Sequence, residues 1–296
     1  MLQVDFRKDV SSHVFYSPFA AIGLRPSTLE SVLALNIVPP MPQVPHRPER
    51  TPPSLDEVKI DPFYEKDLEQ MSKARNYLAW QFKLVEPYVF GDVLEVGGGI
   101  GNFTTWLAKR SRTVVSIEPN AFCFSRLSRS VQGISNVEVH SCVAEELESK
   151  LGKTVRFDAI VCMNVMEHIA DDRALCLTFS RLLKHGGNAV IQVPALPFLF
   201  GRIDQLLGHY RRYTKSAARD LFTSSGLQPT RLRYFNFPGV WAWWWNAHVT
   251  KSVSQSDFQI GVFDRGIVPW LAALEAAIPP PIGQCLLAVG RKATVA

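Results

Sequence analysis

The chain has 296 residues, of which 47% are hydrophobic and 20% are charged, and its formal net charge is +5. These values are typical of a globular protein with one large domain, and they exclude a disordered or collagen-like chain. A mildly basic balance suits an anionic substrate or a membrane surface without requiring either of them.

Five scattered cysteines, at positions 123, 142, 162, 176 and 285, lack the spacing of metal ligands and predict reduced core residues. Asp5 and Asp9 interrupt the basic-then-apolar pattern of a signal peptide. No apolar run is long enough for a membrane helix, and the closest, residues 235–249, is short and contains polar residues. The sequence therefore predicts a cytoplasmic protein, with membrane association as a further hypothesis.

Residues 1–55 are predicted to form an N-terminal arm and a proline-rich linker. Seven prolines lie between positions 39 and 53, and that density blocks both helices and sheet ladders. From residue 65 to residue 88 apolar side chains recur at helical spacing, which predicts a helix. We therefore place a boundary near residue 56 and predict one domain over residues 56–296.

A glycine-rich turn follows the first predicted strand. Val93, Leu94 and Val96 form a short apolar run that suits a buried parallel strand, and a helix after the turn extends to about Lys109. The sequence between strand and helix is Glu95-Val96-Gly97-Gly98-Gly99-Ile100-Gly101-Asn102. A strand, a glycine turn and a helix can hold a nucleotide-like ligand, because missing Cβ atoms let the backbone approach it closely.

The spacing of these glycines distinguishes two families. The dinucleotide fingerprint needs a glycine at the sixth place, where this chain has Asn102. With Glu95 in the strand and the glycine at Gly101 instead, the run resembles the first motif of class I S-adenosylmethionine (SAM) methyltransferases. The resemblance implies that Glu95 lies near the methionine amino group, that the glycines pass under the methionine and the sugar, and that Asn102 belongs to the same site.

The second predicted strand, residues 112–117, ends at Glu118 and Pro119. A carboxylate there can accept hydrogen bonds from both ribose hydroxyls, and the resemblance assigns Glu118 that role, with Pro119 as a further cofactor-binding residue. The third strand, residues 137–140, leads to Val143 and Ala144. The family often has an aspartate in place of Val143 to bind the adenine amino group, so here we expect backbone groups and apolar packing to hold the adenine.

A fourth strand that runs into a turn is predicted over residues 157–165, and the segment Asn164-Val165-Met166-Glu167-His168 spans its end. This segment resembles the post-strand motif of the methyltransferases, which implies that Asn164 and Val165 contact the cofactor and that Met166 lines the methyl-transfer centre. His168 is a candidate base. Some class I members that act on small RNAs bind a divalent ion through a Glu-x-x-Glu-His run. Because Asn164 replaces the first of those glutamates, the sequence predicts no metal.

Asp171 and Asp172 can cap a helix that the glycine-containing run 184–187 ends, although the family usually has proline at the place of His185. A fifth strand, residues 188–193, leads into the segment 194–214, which is rich in aromatic residues and arginine. There His209 is the first choice for a catalytic base, and Tyr210 is a further catalytic candidate. Substrate contacts are predicted for Arg211, Arg212 and Tyr213. The two arginines can equally form surface or internal ion pairs.

The last predicted elements are a helix over 215–225, a sixth strand over 227–235 and a seventh over 284–291, which in the family is antiparallel. Between the last two strands lies an insertion, residues 236–283, with tryptophans at 241, 243, 244, 245 and 270. This aromatic cluster fits either a buried extension of the core or a lid over an apolar substrate, with a peripheral membrane contact through residues 236–250.

The predicted fold is therefore α/β, a Rossmann-like doubly wound sheet of seven strands with an antiparallel last strand. The predicted function is SAM-dependent methyl transfer to an oxygen or nitrogen of a small or lipid-linked, anionic substrate. An NAD-dependent oxidoreductase and a SAM-binding protein without catalysis remain alternatives. Nucleic acid is a disfavoured partner, because the lysines and arginines form no long basic stripe.

Overall fold

The computed structural model describes residues 62–245 and 257–294. The predicted arm and linker over residues 1–55 lie outside these ranges. The described residues form one seven-stranded sheet with helices on both faces. Its strands are β1 (Asp92–Val96), β2 (Thr113–Ile117), β3 (Val137–His140), β4 (Phe157–Met163), β5 (Leu183–Pro194), β6 (Leu227–Phe235) and β7 (Cys285–Lys292).

The helices lie between the strands and in the insertion before β7. They are α1 (Pro62–Lys73), α2 (Arg75–Val85), α3 (Thr104–Arg110), α4 (Ala121–Ser130), α5 (Leu147–Leu151), α6 (Asp172–Leu182), α7 (Arg202–Leu206), α8 (Lys215–Ser224), α9 (Phe237–Trp245), α10 (Asp257–Val262) and α11 (Val268–Ala277). A π-helical segment, Phe263–Ile267, joins α10 to α11. Short 3-10 turns include Met166–His168 after β4 and Pro197–Leu199 after β5.

The strand order is β3-β2-β1-β4-β5-β7-β6. Strands β1 to β5 pair in parallel, whereas β7 is antiparallel to both β5 and β6. The order reverses direction at the junction of β1 and β4, and ligands of doubly wound sheets bind beyond the carboxyl ends of the strands at such a point. The predicted fold class is confirmed, including the antiparallel last strand.

Alternate residues of each central strand fill two hydrophobic cores, one on each face of the sheet. Leu94 packs with Phe179 of α6 in one core, while the adjacent Val93 packs with Trp80 of α2 in the other. The five cysteines are buried and free of disulfides, as the sequence predicts.

Four of the five tryptophans of the insertion are exposed, and only Trp243 packs against the core. Trp241, Trp245 and Trp270 expose 63%, 55% and 80% of their surface, whereas Trp243 is half-buried against the guanidinium of Arg212. The Glu275 carboxylate of α11 accepts hydrogen bonds from the Asn236 and Phe237 backbone N–H groups, which ties the start of α9 to α11. Among the described residues, no helix is long and apolar enough to cross a membrane.

Candidate active site

The glycine turn after β1 is held close to β2 and to the segment after β4. The N–H groups of Gly97 and Gly98 both donate to the Ile117 carbonyl, at 2.9 and 3.0 Å. A Cβ on Gly97 would collide with Val165, and the φ of this residue is +76°, so only glycine fits without strain. A Cβ on Gly99 would project into open space, and the φ of this residue is +57°. The turn is therefore packed on one side and open on the other.

Glu118 stands at the end of β2 directly against this turn. Its carboxylate accepts hydrogen bonds from the N–H of Gly99 at 2.9 Å and from the N–H of Asn120 at 3.0 Å. The residue is only 8% exposed, and burial raises the pKa of its carboxyl from 4.5 to about 7. Glu118 and the glycine turn are therefore in direct contact, and the cofactor-binding role of both stays a prediction.

The raised pKa of the buried Glu118 carboxyl predicts how the stability of the protein changes with pH. Because the folded pKa of about 7 lies above the ordinary 4.5, this carboxyl contributes stability that is complete below 4.5 and is lost as the pH rises through about 7. The full shift corresponds to roughly 3 kcal/mol. We expect Glu118→Gln to lose less stability than the wild type between about pH 5 and about pH 8. Urea denaturation at both pH values checks this, and equal losses in the two proteins would contradict it.

Glu95 lies under the packed side of the glycine turn and not on its open side. It is 3% exposed, and one carboxylate oxygen, Oε2, accepts hydrogen bonds of 2.6 Å from the hydroxyls of Thr104 and Ser116. Burial raises the pKa of its carboxyl. A Cβ on Gly98 would meet the Ser116 hydroxyl and approach Glu95, so this acid supports the underside of the turn. The sequence reading did not anticipate either hydroxyl partner.

The remaining predicted cofactor residues lie at the same edge of the sheet. Asn164 is exposed just after β4 with a left-handed φ of +54°, and its N–H donates to the Gln192 carbonyl of β5 at 2.8 Å. Val143 and Ala144 follow β3, whose last residue, His140, accepts a hydrogen bond from the Glu118 N–H. Asn102 and Pro119 are half-buried in the loops after β1 and β2. The predicted set thus gathers beyond the carboxyl ends of β1 to β4.

Three titratable side chains form a second cluster beside this edge. One ligand-type atom from each of Glu167, His168 and His209 lies within 4.8 Å of the other two, and the two imidazole rings are 4.6 Å apart at 84°. The N–H of Tyr210 donates to the Glu167 carbonyl at 2.7 Å, which joins the loop after β5 to the segment after β4. Both predicted catalytic histidines are therefore in contact with each other.

The environment of this cluster is buried and polar. Burial raises the pKa of Glu167 to about 8, and burial together with His209 lowers the pKa of His168 to about 3. The Nδ1 atom of His209 lies 2.9 Å from the Asp204 carboxylate, which is fully buried. The same oxygen of Asp204 accepts a hydrogen bond from the Nε of Arg212 at 2.9 Å, and the other oxygen accepts one from the Gly201 N–H.

Three predicted substrate residues face the protein interior instead. Met166 is fully buried in the core. Tyr213 is 3% exposed, and its hydroxyl donates to Asp172 at 2.7 Å. Arg212 is 5% exposed and pairs with Asp204, so it forms the internal ion pair that the sequence left open. This burial leaves the three side chains with little or no access to solvent, and their contact with substrate stays a prediction. Tyr210 is 43% exposed, and Arg211, although it pairs with Asp172, is half-exposed.

Asp204 is the candidate site residue that sequence reasoning missed. It precedes His209 by five positions and fixes the orientation of that imidazole through Nδ1. A sequence signal existed, since Asp204 is an acid close to a candidate histidine in a short apolar segment. The spacing is not helical, however, and only the turn between α7 and His209 brings the two side chains together.

Fold and site together define a class I methyltransferase domain, whose cofactor is SAM. The chain belongs to the methyltransferase-domain family, because the profile described as "Methyltransferase domain" matches residues 61–248. Two solved structures share the fold at a TM-score of 0.50: the YcgJ protein of Bacillus subtilis, at 16% identity over 74% of this chain and 98% of that one, and a putative sarcosine dimethylglycine methyltransferase of Galdieria sulphuraria, at 15% identity over 74% and 85%.

Curated relatives match a shorter part of the chain. The ubiquinone biosynthesis O-methyltransferase of Acinetobacter baumannii is 29% identical over 98 residues, which is 32% of this chain and 40% of that protein. The protein of the same name from Leptothrix cholodnii is 30% identical over 97 residues, with the same coverage of each chain. The match therefore spans about two fifths of these relatives.

Proposed function

We propose that the protein transfers the methyl group of SAM to an oxygen or nitrogen of a small or lipid-linked acceptor with an anionic group. One observation carries the proposal: Glu118 is bonded to the open side of the glycine turn, at the sheet edge that also holds the Glu167, His168 and His209 cluster. The proposed cofactor site and a group of polar side chains would thus share one edge of the sheet.

The residues of the turn fit the cofactor. Glu118 would accept hydrogen bonds from the ribose hydroxyls, the open face at Gly99 would let the sugar approach the backbone, and Glu95 would support the turn from below. Asn164 and Val165 would border the methionine end, and Val143 with Ala144 would border the adenine. SAM, when bound, supplies a methyl group made electrophilic by the sulfonium.

The residues after β5 would receive the acceptor. Tyr210 and Arg211 are accessible side chains of this loop, and the Arg211 guanidinium can attract a phosphate or carboxylate. The role of His209 as a base stays a prediction, and the Asp204 hydrogen bond is the kind of contact that orients such a histidine. The relatives named as O-methyltransferases support an oxygen acceptor.

The strand order argues against the oxidoreductase alternative, because β7 enters the sheet antiparallel between β5 and β6, unlike the sheet of dinucleotide-binding folds. Calorimetry tests the choice directly. We expect titration with SAM to give saturable binding and titration with NAD to give none, and binding of NAD alone would refute the proposal. Release of S-adenosylhomocysteine from a mixture of protein, SAM and cell extract would separate a catalyst from a SAM-binding partner protein.

A lipid-linked acceptor further implies contact with a membrane surface. Trp241 and Trp245 of α9 and Trp270 and Leu274 of α11 are all more than half exposed. Indole rings favour the boundary between headgroups and acyl chains, and a basic protein is attracted to anionic lipid. We therefore propose that this aromatic surface docks on the membrane from which the acceptor is taken.

We expect Trp241→Ala combined with Trp270→Ala to weaken binding to phosphatidylglycerol vesicles by at least ~10-fold, since each ring loses interfacial burial. Leu177→Ala, which removes an exposed apolar side chain of α6, is the matched control and should bind as the wild type does. Vesicle co-sedimentation measures both. Equal binding of the double variant and the wild type would rule out this surface.

A further inference from the structure

The cluster of Glu167, His168 and His209 has the composition of a transition-metal site. One ligand atom from each of two imidazoles and one carboxylate lies within 4.8 Å of the other two. A tetrahedral Zn²⁺ holds its ligand atoms roughly 3.4 Å apart, so small side-chain rotations would complete the coordination. The sequence disfavours a metal because Asn164 takes the place of a carboxylate, but that reading considers only the run after β4. His209 comes from the next loop and supplies the third group.

Each histidine already has a partner that fixes its ring. Nδ1 of His209 is bonded to the Asp204 carboxylate, which leaves Nε2 as the nitrogen available to a metal. The ring of His168 hydrogen-bonds to the Leu207 backbone, which orients its second nitrogen in the same way. Metal-ligating histidines nearly always donate their other N–H to a carboxylate or a backbone carbonyl. The two rings are therefore supported as metal ligands are.

The carboxylate of Glu167 gives a separate indication that this cluster binds a cation. The residue is 1% exposed, and its Oε2 atom finds no hydrogen-bond partner among the described residues. A buried carboxylate oxygen without a partner is costly, and such atoms call for a specific explanation. A cation at the cluster would satisfy this oxygen.

We propose that Glu167, His168 and His209 bind a divalent transition-metal ion, with Zn²⁺ as the best match to the ligand set. Two histidines and a glutamate leave a fourth position open, which is typical of catalytic rather than structural zinc. If the proposed methyl transfer holds, this open position would bind the acceptor oxygen and lower its pKa, so that the histidines need not act as bases. The binding itself does not depend on that role.

The experiment measures metal binding by the full-length protein, first stripped with a chelator, in the absence of SAM and acceptor. We expect calorimetry with Zn²⁺ to give one equivalent, and Co²⁺ to give the visible absorption of a tetrahedral ion with nitrogen ligands. Glu167→Gln, His168→Ala and His209→Ala should each weaken binding by more than the ~10–100-fold that loss of a supporting partner costs. His185→Ala is the matched control, because His185 is exposed at the opposite end of β5.

Absence of stoichiometric Zn²⁺ and Co²⁺ binding by the wild type would overturn the proposal, and so would wild-type affinity in all three variants. Circular dichroism identifies any variant that fails to fold. In that case the cobalt spectrum of the wild type and the remaining variants decide the question. Calorimetry with SAM, run on the same preparations, keeps the outcome separate from the proposed function: a protein that binds metal but not SAM would retain the metal site and lose only the methyltransferase role.

Discussion

Replacing Glu118 by glutamine is expected to weaken SAM binding by roughly 10- to 150-fold, as measured by calorimetry. The glutamate accepts hydrogen bonds with a charged oxygen, and such bonds contribute about 1.5–3 kcal/mol each. Glutamine keeps the size of the side chain but offers only one acceptor oxygen. The carboxylate now accepts hydrogen bonds from the backbone N–H groups of Gly99 and Asn120. Glutamine would place its own NH₂ group against one of these two donors. The weaker SAM binding would thus have two causes: a lost hydrogen bond to the ribose and a change in the shape of the glycine turn.

Glu138→Gln is the control for this experiment, since Glu138 is exposed on β3, the strand next to β2. It should leave the SAM affinity unchanged. The titrations belong above about pH 7, where Glu118 is mostly ionised. If glutamine at position 118 bound SAM as tightly as the wild type, the ribose would lie elsewhere and the proposed orientation of the cofactor would fail.

Local pattern predicted most of the sheet. The sequence analysis predicts strands over 137–140 and 227–235, and the structure has β3 and β6 with those bounds. The fifth strand begins earlier than the predicted residue 188, because Leu183 already pairs with Phe157 of β4. Gly186, with a φ of +79°, lies within this early part of the strand. This pairing is a long-range contact that the local sequence does not contain.

The predicted helix over residues 65–88 is divided at Ala74 for a similar reason. The carboxylate of Asp264, from the insertion before β7, accepts hydrogen bonds from the backbone N–H groups of Asn76 and Tyr77 at 3.2 and 2.8 Å. It thereby satisfies donors at the start of α2. A cap supplied from a distant part of the chain cannot be predicted from helical periodicity, which continues through the break.

The candidate site likewise contains residues that the local sequence predicts and residues whose roles depend on long-range contacts. The glycine turn and Glu118 could be predicted, because fixed spacing after two parallel strands brings them to one edge. The roles within the segment 194–214 could not, since they depend on which side chains turn inward. Arg211 and Arg212 are adjacent and chemically identical in sequence, yet one is half-exposed and the other is buried against Asp204 and Trp243.

These two arginines give the second large prediction. Arg212→Ala is expected to lower the free energy of unfolding by about 3–5 kcal/mol, because it leaves the Asp204 carboxylate buried without its charged partner. The guanidinium also stacks on the Trp243 ring at 4.6 Å, and that contact is lost as well. Arg211→Ala removes an ion pair with Asp172 that is partly open to water, and it should cost about 1 kcal/mol or less.

Urea denaturation of both variants at one pH measures the two costs, and their difference removes errors that the proteins share. Because Asp204 also orients His209, the Arg212 variant should bind Zn²⁺ more weakly than the Arg211 variant does, even under conditions where both are folded. Similar stabilities for the two variants would mean that water enters beside Asp204 and solvates it. The buried ion pair would then not be what holds the loop after β5 in position over the site.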